Sequence, residues 1–149
     1  MEEDNVKDKI NDKHLEFLQA NITRMNQCSF QMKGWAIAIV SALIAIYVST
    51  VSEDTGNKLF IWISIAPTVL FWVLDAFYLS REYKFIGIYN DVAGITPVAE
   101  QKNLKEFEMA LNRYKGWKYS FFRAFLASVS TICFYGLIII GLILLGALL

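Results

Sequence analysis

The sequence predicts an all-α integral membrane protein: three transmembrane helices with helical extensions on the cytoplasmic side, assembled as a homo-oligomeric helical bundle or ring. Three observations lead there. Three apolar stretches each approach or exceed the ~20 residues a helix needs to cross a bilayer. The basic residues fall on alternate sides of those stretches, as the positive-inside rule requires. The polar segments between them carry apolar stripes at heptad spacing, the pattern of helices that pack along a seam.

The elements follow in order. Residues 1–33 form a charged cytoplasmic helix in which Leu15, Leu18, Ile22, Met25, Ser29 and Met32 recur at 3-4-3-4-3 spacing, with Ser29 interrupting the apolar face. Such a stripe serves either the helix's own subunit or a contact between subunits. Residues 34–52 form the first span, centred on Ala36–Tyr47. Residues 53–58 hold Asp54, Gly56 and Asn57 and make a short external turn, so the first two spans form a helical hairpin. Residues 59–80 are the second span. Pro67 kinks it, or leaves Ser64 and its neighbours to repair the helical ladder. Residues 81–120 are cytoplasmic helices. The second span continues through Arg81–Tyr89 and stops near Gly94. Thr96 and Pro97 then read as an N-cap and first helical position. Leu104, Phe107, Leu111 and Tyr114 form another stripe at 3-4-3 spacing. The helix is expected to run on, with a bend at Gly116, into the third span at residues 121–149.

Orientation comes from the Lys and Arg counts. Residues 1–33 contain five, the 53–58 turn one, residues 81–123 eight and residues 124–149 none. The N-terminus and the 81–120 segment are therefore expected in the cytoplasm, with the C-terminus on the other side. Lys33-Gly34-Trp35 and Lys115-Gly116-Trp117 repeat a tripeptide that suits the headgroup region. Their surroundings differ, so the repeat reads as anchoring rather than duplication.

Composition narrows the function. The chain has 149 residues, 56% of them hydrophobic, with a mean hydropathy of +0.40. Length limits it to one domain. Fourteen basic residues balance fourteen acidic ones, which argues against nucleic acid as a partner. The first 33 residues lack the apolar core and cleavage site of a secretory leader, so the N-terminus is expected to be retained. Cys28 and Cys133 fall in different environments and are not expected to pair. The lone His14 cannot build a His-based metal site, so neither metal nor cofactor is expected. Asn21-Ile22-Thr23 matches a glycosylation acceptor but lies in an expected cytoplasmic helix. There is no Gly-rich phosphate loop, nucleophile elbow or HExxH motif, and catalysis is not expected.

Asp75 is the residue that most demands an explanation. A carboxylate at the centre of a span costs ~2.5–3.5 kcal/mol on insertion scales and usually has a partner. It lies six residues inside Arg81, about 9 Å along the helix. Arg123 lies six residues beyond Trp117, at a similar depth if Trp117 marks the interface. An Asp75–Arg123 pair between spans two and three is the expectation, since Arg stays charged and offers a planar fork of donors. Such a pair either locks the bundle or lines an ion or proton path. In the third alternative Arg123 snorkels to the headgroups and Asp75 faces a hydrated vestibule. Ser128, Thr131 and Tyr135 mark a polar stripe on the third span, read as helix packing in preference to a pore lining.

Two strings resemble a known bacterial family. His14-Leu15-Glu16-Phe17-Leu18-Gln19, Arg24-Met25-Asn26, Ser29-Phe30 and Lys33-Gly34-Trp35 form the first. Phe71-Trp72-Val73-Leu74-Asp75-Ala76-Phe77-Tyr78-Leu79, then Glu82 and Tyr89-Asn90-Asp91, form the second. Both are similar to the RipA family of octameric inner-membrane proteins. The similarity covers roughly residues 13–92, and the third span matches only in hydrophobic character. The resemblance implies an octamer in the bacterial cytoplasmic membrane, where the charge distribution then puts the C-terminus in the periplasm. It supplies no catalytic residues and adds weight to Asp75 and Arg24. The functional expectation is a membrane scaffold or channel-like assembly, surrounded by lipid and partnered by itself. The alternatives are a membrane-disrupting effector triggered by a partner protein, as in phage defence, and an accessory subunit of a larger complex.

Overall fold

The computed structural model describes the backbone of residues 2–51 and 59–148, and the side chains of 9–50 and 59–148. The expected 53–58 turn lies outside the described residues. Those residues form five helices: α1 (Glu2–Val51), α2 (Leu59–Ile63), α3 (Ile65–Val92), α4 (Phe121–Leu126) and α5 (Val129–Leu148). Two single 3-10 turns, Leu111–Arg113 and Trp117–Tyr119, precede α4, and no strand occurs among the described residues. Three helical stretches are long and apolar enough to cross a membrane, within α1, in α2 with α3, and in α5.

α1 runs unbroken for 50 residues, about 75 Å at 1.5 Å per residue. It contains no proline and one glycine, so nothing interrupts its ladder. α2 and α3 are one span interrupted at Ser64. Pro67 has no N–H to give to Ile63, and the break falls one turn before it. Local hydroxyls repair the loss: Ser64 Oγ donates to the Phe60 carbonyl at 2.8 Å and Thr68 Oγ1 to the Ser64 carbonyl at 2.8 Å. α3 then continues past Arg81 to Val92, as the sequence leads one to expect, and Gly94 turns the chain with φ +69°.

α1 and α3 pack along most of their lengths, with α5 against α3 and α2. The buried apolar side chains fall into three layers. At the polar end Leu18 packs with Phe85, Ile88 and Tyr114. In the middle Met32 and Ala36 meet Phe71 and Tyr135. At the far end Val40 and Tyr47 meet Ile61 and Leu142. As numbers rise along α1 they fall along α2 and α3, so the pair is antiparallel.

The 93–120 segment departs from expectation. No helix starts at Thr96-Pro97, whose carbonyl side closes only a turn to Glu100 and Gln101. The segment folds back on the polar end of α1 and α3. Leu104, Met109, Leu111 and Tyr114 are drawn into the first core layer from an irregular backbone. Tyr114 is fully buried, and its hydroxyl donates to Asp91 Oδ2 at 2.5 Å. Its ring lies where a Cβ on Gly87 would come within 2.7 Å, so the contact requires glycine there. Gly116 has φ +108° and ends any continuous helix, where a bend had been expected. Gly34, in the other Lys-Gly-Trp, sits inside α1, so the two tripeptides have different conformations. The third span is divided as well: α4 stops at Leu126 and α5 starts at Val129.

Candidate polar site between the helices

Asp75 is fully buried on α3. Its partners come from α1, the helix it packs against. Ser29 Oγ donates to Asp75 Oδ1. Lys33 Nζ lies 2.6 Å from Asp75 Oδ2 and also donates to Ser29 Oγ at 2.9 Å. Ser29 and Lys33 are four residues apart, so they lie one above the other on the same face of α1. This closes a three-membered polar ring in which the carboxylate and ammonium satisfy each other. The Lys33 side chain keeps only 17% exposure.

The expected Asp75–Arg123 pair is corrected. Arg123 Nη1 donates to the Lys118 carbonyl at 2.9 Å, and the guanidinium lies over the Tyr83 ring at 5.3 Å. Equal depth for Arg123 requires a continuous helix from Trp117, but Trp117–Tyr119 is a 3-10 turn and Ser120 caps a new helix. Six residues there do not translate into helical rise. Trp35 of α1 is level with Phe71, their rings 6.4 Å apart. Asp75 is one turn beyond Phe71, on the polar side of that level.

The same seam carries further polar groups. Glu82 lies two turns along α3 from Asp75. It is hydrogen-bonded to Asn26 and within electrostatic reach of Lys33 and Asp75. Its Oε2 is buried without a hydrogen bond among the described residues. Tyr135 of α5 is fully buried and its hydroxyl faces Asp75, without closing a bond of ordinary geometry. The Tyr135 ring stacks on Trp72 at 5.9 Å, and Trp72 stacks on Phe125 at 4.6 Å, which ties α3 to α4 and α5. A cleft of about 380 Å³ opens beside the ring, lined by Asn26, Ser29, Lys33, Tyr83, Ser130 and Thr131 among others.

The third-span stripe turns inward. Thr131 and Tyr135 are buried and Ser128 is half-buried. Thr131 Oγ1 contacts the Ala124 and Ser128 carbonyls, both at 3.0 Å, and so bridges the gap between α4 and α5.

The expected seam residues are also reassigned. Leu18, Ile22, Met25, Leu104, Leu111 and Tyr114 join one another within the chain, and Met32 joins the middle layer. Leu15 is half-buried. Phe107 is half exposed, in the left-handed region with φ +56°, its ring 5.5 Å from that of His14. Most of these residues therefore pack within the chain.

A second concavity, about 460 Å³, lies at the polar end between α1, the end of α3 and residues 98–106, with Asn11, His14, Asp91, Gln101 and Lys105 in its wall. His14 is buried and its Nε2 has no hydrogen bond among the described residues. No group of three or more metal-ligating side chains occurs among the described residues.

Sequence reasoning singled out Asp75 but not Ser29, Lys33 or Glu82. The signal was present. Ser29 interrupts an otherwise apolar stripe, and a polar residue on a packed face calls for a polar partner. Lys33, standing two residues before Trp35, reads in the sequence as a headgroup anchor. Comparison with protein-family models, characterised proteins and solved structures returns no match.

Proposed function

We propose that this chain acts without catalysis, as the subunit of a homo-oligomeric scaffold or channel-like assembly in the bacterial cytoplasmic membrane. Its N-terminus and the 81–120 segment face the cytoplasm and its C-terminus the periplasm. Eight copies is the number that the RipA resemblance suggests. The observation that carries the reading is the contrast between polar groups gathered inside the helices and an uncovered apolar exterior. Lys33, Ser29 and Asp75 satisfy one another inside the helices. Leu70, Leu137, Ile140 and Leu144 remain exposed along the spans. Surfaces of that kind face lipid or another copy. Because the heptad residues are used within the chain, contacts between copies fall to these outer faces of the spans. Native mass spectrometry of the full chain in mild detergent tests the reading. A closed species near eight subunits supports it, and a monomer or dimer overturns it.

A further inference from the structure

The seam between α1 and α3 holds more negative charge than it neutralises. Asp75 and Glu82 are two carboxylates, and Lys33 is the cation acting on Glu82. Lys33 is already committed, to Asp75 Oδ2 and to Ser29 Oγ. Glu82 has the Asn26 amide at one side, while Oε2 is buried with no donor. The neighbouring cations are engaged elsewhere. Arg81 lies over the Phe77 ring at 5.1 Å, and Arg123 over that of Tyr83. From α5 the facing titratable group is Tyr135, whose neutral hydroxyl adds no compensating charge. A buried carboxylate oxygen without a donor, next to a second carboxylate, is costly while it is ionised.

We propose that Asp75, Lys33 and Glu82 form a proton-binding site, in which Glu82 holds one exchangeable proton supplied by water from the cleft that its neighbours Asn26 and Lys33 wall. The step is simple in its balance: the Glu82 carboxylate takes one proton from water on the cleft side and becomes a neutral acid, and it returns that proton to water when it ionises. The seam then carries one ammonium and one carboxylate and is neutral. The cleft, about 380 Å³ and walled by Asn26, Ser29, Lys33, Tyr83, Ser130 and Thr131, has the room and the polar groups to hold water. An anion is disfavoured there, because Lys33, the ammonium in the cleft wall among the described residues, is already paired with Asp75. The site does not depend on the number of subunits.

Infrared pH-difference spectroscopy of the full chain in phosphatidylethanolamine–phosphatidylglycerol vesicles tests this. The expected result is the carbonyl band of a protonated carboxylic acid at neutral pH, lost on raising the pH well beyond the usual Glu range near ~4.3. Glu82→Gln should remove the band, with the helical circular dichroism unchanged. Glu82→Asp should keep a band at a displaced frequency, which preserves the test if the glutamine variant fails to fold. The proposal is overturned if neutral samples give no such band, or if the band persists at the same frequency in the Glu82 variants. It is overturned equally if a carboxylate band there responds to sodium and not to pH.

Discussion

Lys33 and Asp75 can be separated experimentally. Removing one partner of a buried ion pair leaves a charge with nothing to balance it, at a cost of about 3–5 kcal/mol, whereas replacing both by apolar groups is often neutral. Lys33→Met should therefore destabilise the protein strongly, and Lys33→Met with Asp75→Leu should recover most of the loss. Arg123→Gln should leave Asp75 undisturbed, since Arg123 serves the Lys118 carbonyl and the Tyr83 ring. Thermal unfolding in detergent reads all three, and the pairing is wrong if Arg123→Gln costs as much as Lys33→Met. Tyr114 gives a pH prediction. Burial, then its hydrogen bond to the Asp91 carboxylate, raises its pKa above the ordinary tyrosine value. A group raised on folding stabilises fully below its unfolded pKa, ~10 for Tyr, and loses that contribution as pH rises further. The packing of residues 93–120 should loosen in alkali, with hydrogen exchange at those amides accelerating. Tyr114→Phe should lower the starting protection by about 1–2 kcal/mol and lack the Tyr114-dependent part of the alkaline loss.

Between elements, the contact of Tyr114 with α3 depends on the absence of a side chain at Gly87. A Cβ there would meet the rings of Tyr114 and Tyr119 at 2.7–2.9 Å. Gly87→Ala should destabilise by about 1–3 kcal/mol, the usual cost of overpacking. Gly136→Ala is the control, because a Cβ at Gly136 meets nothing within 4 Å. Equal unfolding temperatures for the two variants would remove Gly87 from the account. The division of the third span is an element-level feature too. Ser120 caps α4 by accepting from the Phe122 N–H at 3.2 Å, and Thr131 spans the gap to α5. Apolar content marks this stretch as a span but does not reveal where its ladder breaks. The break at Ser64 was more legible, because Pro67 removes a donor wherever it sits in a helix.

Across the whole molecule, the three layers of packing run the length of α1 and reach from the polar end to the far end of the spans. Most of the heptad-stripe residues supply the first of these layers, and Met32 the middle one, within the chain. If the assembly is a ring, substitutions on the outer faces of the spans should dissociate it while leaving each subunit folded. Leu137→Ala with Leu144→Ala should reduce the subunit number in native mass spectrometry, since both side chains are exposed in the single chain. Leu18→Ala should instead unfold the polar end at a cost of about 2–5 kcal/mol, as for a fully buried leucine. The opposite pattern would return the stripes to the subunit interface.

The sequence by itself determined the three apolar stretches, the continuation of the second span past Arg81, its stop at Gly94, and the anomaly of Asp75. Each is a local property: length, hydropathy, the φ freedom of glycine, or the cost of a charge among apolar neighbours. Only the tertiary structure decided what Asp75 pairs with, because that depends on how α1 and α3 register along each other. A shift of one turn would have offered Asp75 a different partner from α1. It also decided the fate of residues 93–120. Their 3-4-3 spacing is compatible with a helix, but Gly87 and Asp91 offer Tyr114 a buried seat that an irregular backbone can reach.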